Sequence, residues 1–194
     1  MEDALAIFYK YAFPAMWLAY FGYWWAVSRN VKAPVRQEPA PSRVARLVLM
    51  VSAGLLLGLS RIPFSPLDKR FFPSGDGSFW SGAVVTAAGL LFSVWARRHL
   101  GSNWSQNVTV KQGHELIQSG PYRFVRHPIY TGLLVAFLGS AIARGEWRGL
   151  LAVALVFITL WNKLRLEEKW MRAEFGESYR NYSRRVAALV PHIL

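Results

Sequence analysis

Apolar residues in this chain come in long unbroken blocks, not in the alternation of a strand or the narrow stripe of a surface helix. Five blocks run from Leu5 to Val27, Leu47 to Ile62, Phe79 to Ala96, Ile129 to Ala143 and Leu150 to Leu164. Each predicts a helix, and the first three read as membrane spans. The last two hold 15 residues each. At the rise of an α-helix they cover only about 22 Å of a ~30 Å hydrocarbon core. Either their flanks complete two spans, or they form a shallow re-entrant hairpin turning at Arg144-Gly145-Glu146.

Tryptophan placement favours full spans. Indoles prefer the two interfaces of a bilayer, and Trp80 with Trp95 brackets the third block while Trp147 with Trp161 brackets the fifth. Each pair would stand about 21 to 23 Å apart along a helix. The expected fold is therefore an all-α polytopic membrane protein of about five spans. With five spans, 17 of the 23 Lys and Arg residues fall on one side. The positive-inside rule makes that side cytoplasmic, with the N-terminus outside and the C-terminus within, in a multi-pass protein of the cell membrane. Val31 to Ser42, with three prolines, is then a cytoplasmic loop, and Pro63 to Ser78 an outer one. Gly54 and Gly58 make a GxxxG step, read first as close helix packing within one copy and second as a contact for a homo-oligomer.

Composition narrows the class further. The chain has 194 residues, 53% of them hydrophobic, and no cysteine, which excludes disulfides, thiolate metal sites and a thiol nucleophile. Met1-Glu2-Asp3 lacks the basic start of a cleaved signal peptide, so the first block is read as a retained span. A net charge of +12 could suggest nucleic acid. In a polytopic chain, however, it points to basic loops beside anionic lipid, and no compact basic module with exposed aromatics appears.

Polar residues collect in two places, Gly101 to Tyr130 and Lys163 to Tyr182, and the expected topology puts both at the cytoplasmic face, where they can form one site. Pro128 suits the first turn of a helix, so Arg126 and His127 stand at a helix mouth. Two cations there call for an anionic partner, because a helix N-terminus disfavours positive charge; the alternative is plain anchoring at the interface. Glu167 and Glu168 follow the fifth block, and carboxylates so near an apolar run are costly unless paired. Lys163 lies four residues before Glu167, on the same helix face. No glycine-rich nucleotide loop, HExxH-type metal spacing or serine elbow is present.

The run His114 to Gly132, followed after one helical hairpin by Glu167-Glu168 and then by Glu174 to Tyr179, resembles the isoprenylcysteine carboxyl methyltransferase family and its prokaryotic relatives. Phospholipid N-methyltransferases share a related pattern. The resemblance covers about half the chain, from Leu100 onward. It implies a division into three N-terminal helices (1–99) and a catalytic region (100–194). It also implies S-adenosyl-L-methionine as cofactor, held in a cytoplasmic pocket by His114, Leu116, Ile117, Tyr122, His127, Pro128 and Tyr130, with Glu167 and Glu168 supplying carboxylates. Aromatic faces and acids suit a sulfonium cation. The implied acceptor is lipophilic, enters sideways from the lipid bilayer and is methylated on a carboxyl oxygen, with Arg126 holding its carboxylate. Where the family commonly carries arginine this chain has Lys163, with Arg165 two residues on, and the two are the remaining candidate catalytic cations. They are not equivalent to an arginine fork. Methylation of a lipid amine, a nicotinamide-dependent reductase and a non-catalytic scaffold are the alternatives.

Overall fold

The computed structural model describes residues 2–28, 39–60, 62, 66–73, 75–101, 116–191 and 193. Among them the chain is helical: α1 (Glu2–Ser28), α2 (Ala40–Gly58), α3 (Asp76–Leu100), α4 (Pro128–Arg144) and α5 (Trp147–Arg185), with a 3-10 turn at Gly120–Arg123. Prolines open two of them. Pro41 lies in the first turn of α2 and Pro128 begins α4, where a missing N–H costs nothing. The α4–α5 turn falls at the expected triplet, because Gly145 takes the left-handed conformation (φ 65°) and its N–H closes on Ala141 O at 2.8 Å.

Side-chain contacts fix the directions. Phe13 meets Phe79 edge-on and Tyr20 bonds Ser93 at 2.8 Å, so α1 runs parallel to α3. Gly82 lies against Ala143 and Gly89 against Gly132, so α4 runs antiparallel to α3. At the far end of α4, Arg144 and Arg148 donate to the carbonyls of Leu57, Leu59 and Ser60, which close α2. Successive helices therefore alternate in direction. By length and composition α2, α3 and α5 are long and apolar enough to cross a membrane, and α4 is apolar with 17 residues. Val84 and Leu91 of α3 are each about two-thirds exposed (65% and 68%), as suits contact with lipid.

The tightest packing is between α3 and α4. A Cβ added to Gly82, Gly89, Gly132 or Gly139 would meet the backbone of the facing helix at 2.4 to 2.7 Å. Spaced by seven on each helix, these glycines let the backbones touch. Gly54 and Gly58 do not pack this way: a Cβ at either meets nothing within 4 Å. The expectation of close packing there is overturned, since both face open space beside α4.

Two boundaries also shift. The helix α2 starts at Ala40, inside the segment expected to be loop up to Ser42, and α3 starts at Asp76, ahead of Ser78. More consequential is α5, which continues to Arg185, well past the apolar block ending at Leu164. Its polar extension is laced by the pairs Lys163–Glu167, Glu168–Arg172 and Glu177–Arg180, which support a helix that hydrophobicity alone does not reveal. Gly176 breaks that extension with a non-helical φ of 52° and turns the last part of the chain back toward the bundle.

Candidate functional site

The returning segment runs alongside the mouth of α4 as a strap. Backbone N–H groups of Arg126 and His127 bond the carbonyls of Ala187 (2.9 Å) and Ala188 (3.0 Å). The Thr131 hydroxyl bonds Leu189 O at 2.7 Å, and the Tyr182 hydroxyl donates to Tyr122 O at 2.5 Å. These bonds place four elements around one spot: the 3-10 turn, the start of α4, the polar part of α5 and the strap.

A buried charge cluster occupies that spot. Arg126 donates through Nε to Glu168 Oε1 at 2.7 Å and also pairs with it through Nη2. Its Nη1 reaches Ser183 O at 3.1 Å and Val186 O as well. The other Glu168 oxygen accepts from Arg172 at 2.7 Å. Glu167 takes the Tyr130 hydroxyl at 2.5 Å and faces Lys163 Nζ at 3.6 Å. His127 lies between the acids, with Nδ1 3.5 Å from Glu167 and Nε2 3.5 Å from Glu168. At that distance Nε2 makes an ion pair but no aligned hydrogen bond, and it is otherwise a buried nitrogen without a partner. Its ring stacks on Tyr130, 9° from parallel at 5.4 Å, and Lys163 lies over the other ring at 5.4 Å.

Environment sets the protonation of the groups beyond the apolar stretch. Burial alone would lower the His127 pKa, but the two carboxylates, Glu167 facing Nδ1 and Glu168 facing Nε2, outweigh it and raise the net value above 6.5. Burial pushes the Glu168 carboxyl up, yet His127 and Arg126 together bring it down to about 2. The Tyr122 phenol is pushed up by burial and by the charge of Glu167. Both shifts favour the charged forms, an ionised Glu168 beside a protonated His127.

The cluster opens into a cavity of about 1060 Å³ that runs between α1 and α2 over the surface of α4. Charged side chains mark its two ends. Arg46, Arg126, His127, Lys163 and Glu167 stand at one, and Lys10 and Arg144 at the other. Between them the wall is Trp17, Phe21, Met50, Leu133 and Phe137.

Most of the sequence-predicted residues converge here. Leu116, Ile117, Tyr122, Arg126, His127, Pro128, Tyr130, Lys163 and Glu167 all line the cavity. Glu168 sits behind the wall, buried against Arg126. Arg165 is exposed, about 200° around α5 from Lys163, and takes no place in the wall. His114 lies outside the described residues. Arg46, Tyr179 and Tyr182 join the wall without having been expected there. The tyrosines follow Gly176 at helical spacing, which is the one signal that could have found them, and Arg46 gives no local signal.

The fold is a helical membrane bundle of alternating direction, with a charge cluster at one end of a largely apolar cavity whose volume of about 1060 Å³ is at the upper end for small-molecule pockets. The chain belongs to the phospholipid methyltransferase family, whose model matches residues 78–178. It is 33% identical over 150 residues to a probable protein-S-isoprenylcysteine O-methyltransferase of Oryza sativa subsp. indica, covering 75% of this chain and 76% of that one. It is 31% identical over 96 residues to the protein-S-isoprenylcysteine O-methyltransferase of Schizosaccharomyces pombe, covering 48% of this chain and 41% of the relative. Against methanethiol S-methyltransferase 1 of Bradyrhizobium diazoefficiens it is 40% identical over 70 residues, covering 36% of this chain and 24% of the relative. The chain thus spans less than half the length of the last two.

Proposed function

We propose that the protein is an integral membrane methyltransferase that uses S-adenosyl-L-methionine to methylate the carboxyl oxygen of a lipid-borne acceptor. The observation that carries this reading is Glu167, held by Tyr130 and His127 at the charged end of a long apolar cavity. A cationic ligand fits that donor set. It finds the Glu167 carboxylate and two aromatic faces, while the buried His127 Nε2–H, which has no hydrogen-bond partner, can donate to an acceptor oxygen of the same ligand. Glu167, Tyr122, Tyr130, His127, Pro128, Leu116 and Ile117 would hold it, with His114 added from the resemblance. When bound, the cofactor supplies an electrophilic methyl that passes from sulfur to the acceptor oxygen as the carbon–sulfur bond breaks. A carboxylate needs no base for this.

The chain's own residues do the positioning. Glu168 and Arg126 lock the strap and α5 to the mouth of α4, and with their hydrogen bonds spent on each other they act as a frame for the wall. Lys163 keeps Glu167 ionised and facing inward. Residues 100–194 carry the cofactor site, and the apolar groove between α1 and α2 admits the acceptor's tail from the bilayer. Five spans, with the N-terminus outside and the site at the cytoplasmic face of the cell membrane, complete the proposal.

The test is a calorimetric titration of detergent-purified protein with S-adenosyl-L-methionine and, separately, with reduced nicotinamide nucleotide. Binding of the first alone is expected, and Glu167→Gln should weaken it by about 1 to 3 kcal/mol, the scale of a charged hydrogen bond. Binding of the nicotinamide alone would establish a reductase instead. If a labelled methyl group passes only to amine lipids in single-turnover transfer, the acceptor class is an amine.

A further inference from the structure

Arg165 is a cation that the site does not use. It lies about 200° around α5 from both Lys163 and Glu167, which line the cavity, so it projects from the other side of the helix. Leu151, Ile158, Arg165 and Arg172 follow one another at seven-residue steps and thus share that side. Leu151 (38%) and Ile158 (49%) are exposed within the apolar part of α5, where a membrane-crossing helix meets acyl chains. One face therefore runs from exposed aliphatic residues straight into a cationic stripe, to which Lys169 adds four residues beyond Arg165. Both Arg165 and Lys169 are exposed, and among the described residues neither makes a hydrogen bond or an ion pair. The acids of the same turn do not neutralise them. Glu167 bonds Tyr130 and faces Lys163, while Glu168 is buried between Arg126 and Arg172.

We propose that Arg165 and Lys169 form a binding site for the headgroup phosphate of an anionic phospholipid whose acyl chains lie along Ile158 and Leu151. Arg165 directly follows the apolar block that ends at Leu164, and Lys169 stands about 6 Å further along the axis, inside a headgroup layer of roughly 5 to 7 Å per leaflet. A guanidinium fork takes two phosphate oxygens, and the ammonium adds a point charge beside it. The occupant is a leaflet lipid and not a soluble anion, because the aliphatic run on the same face gives its tails a continuous track. It is a bound neighbour of the helix and not a methyl acceptor, since the width of α5 separates it from the cavity. The inference therefore stands independently of the methyltransferase reading.

The chain has no cysteine, so Asn162→Cys, three residues before Arg165 and exposed, gives one attachment point for a fluorophore. The labelled full chain is placed in nanodiscs of phosphatidylcholine with a minor share of phosphatidylglycerol. Bromine is carried either by the phosphatidylglycerol or by an equal mole fraction of the phosphatidylcholine, and the two quenching constants are compared. Brominated phosphatidylglycerol is expected to quench about fivefold more strongly, the scale of one basic residue at a charged surface. A fluorophore on Leu91→Cys, exposed on α3, should show a ratio of about one. Arg165→Gln combined with Lys169→Gln should bring the Asn162 ratio down to the Leu91 value. Lys169→Gln alone should lower it in part, and that variant decides if the double one fails to fold. Arg184→Gln removes an exposed charge beyond Gly176 and should leave the ratio as it was. Equal ratios at the two positions overturn the proposal, as does a ratio that survives the double substitution. A ratio that falls as far with Arg184→Gln overturns it too, since the cause is then a diffuse field. So does a loss of enrichment when chloride is exchanged for inorganic phosphate at equal ionic strength, which would make the stripe a site for a soluble anion.

Discussion

His127 sits between two carboxylates, and this ties the stability of the site to pH in a way that separates its role from plain anchoring. Its pKa in the folded protein is raised above 6.5, so its contribution is fully present below that value and is lost as pH rises through the folded pKa. Glu168 works in the opposite sense. Its folded value is lowered from 4.5 to about 2, so its contribution is present above 4.5 and is lost as pH falls toward 2. Between the two unperturbed values both are fully present. His127→Gln should therefore lower the unfolding temperature most near pH 5 to 6, with a cost of about 1 to 3 kcal/mol, and the gap to wild type should narrow as the buffer is taken alkaline. Scans of both proteins across this range would show it. A gap that stays constant with pH means that His127 is neutral and only fills space. The sequence indicated that these residues belong together, because a cation pair at a helix mouth needs an anion. It did not reveal which anion each cation takes, since Arg126 reaches Glu168 across 42 positions.

At the scale of the element, the sequence drew attention to the wrong glycines. Gly54 and Gly58 match the familiar four-residue step, yet they face the cavity, whereas the contact between α3 and α4 uses a seven-residue spacing that spans two helices and is visible only once they are paired. The difference is measurable. Gly139→Ala puts a methyl 2.4 Å from Thr86 N, against backbone that cannot step aside, and should cost about 1 to 3 kcal/mol. Gly54→Ala meets nothing and should leave stability unchanged or raise it by up to about 1 kcal/mol. Thermal unfolding followed by tryptophan emission distinguishes the two, and equal losses would mean that the packing has been misassigned. The reach of α5 was hidden for a related reason. Hydropathy ends at Leu164, but a helix held by ion pairs continues to Arg185, and only Gly176 marks where it turns back.

For the whole molecule, the alternation of apolar blocks and basic stretches was enough to indicate an all-helical bundle with its polar clusters at one end, because lipid permits few other arrangements of such a pattern. Orientation follows from the same charges and can be checked directly. Single cysteines at Ser42 and Asn181 should resist a membrane-impermeant thiol reagent in intact cells, and one at Lys69 should react. The reverse pattern would invert the bundle. What the blocks could not indicate was the gap between α1 and α2, since an apolar residue facing a cavity and one facing lipid have the same composition. The arginine pair at the opposite end gives that gap a direction. Arg144 and Arg148 bind the last carbonyls of α2, and Glu146 ties the two together, so that end of α2 is pinned to the α4–α5 turn. With that end of α2 closed off, an acceptor entering through the gap under the proposed topology would come from the leaflet on the site's side, and the composition of that leaflet, not of the bilayer as a whole, would set which molecules the protein meets.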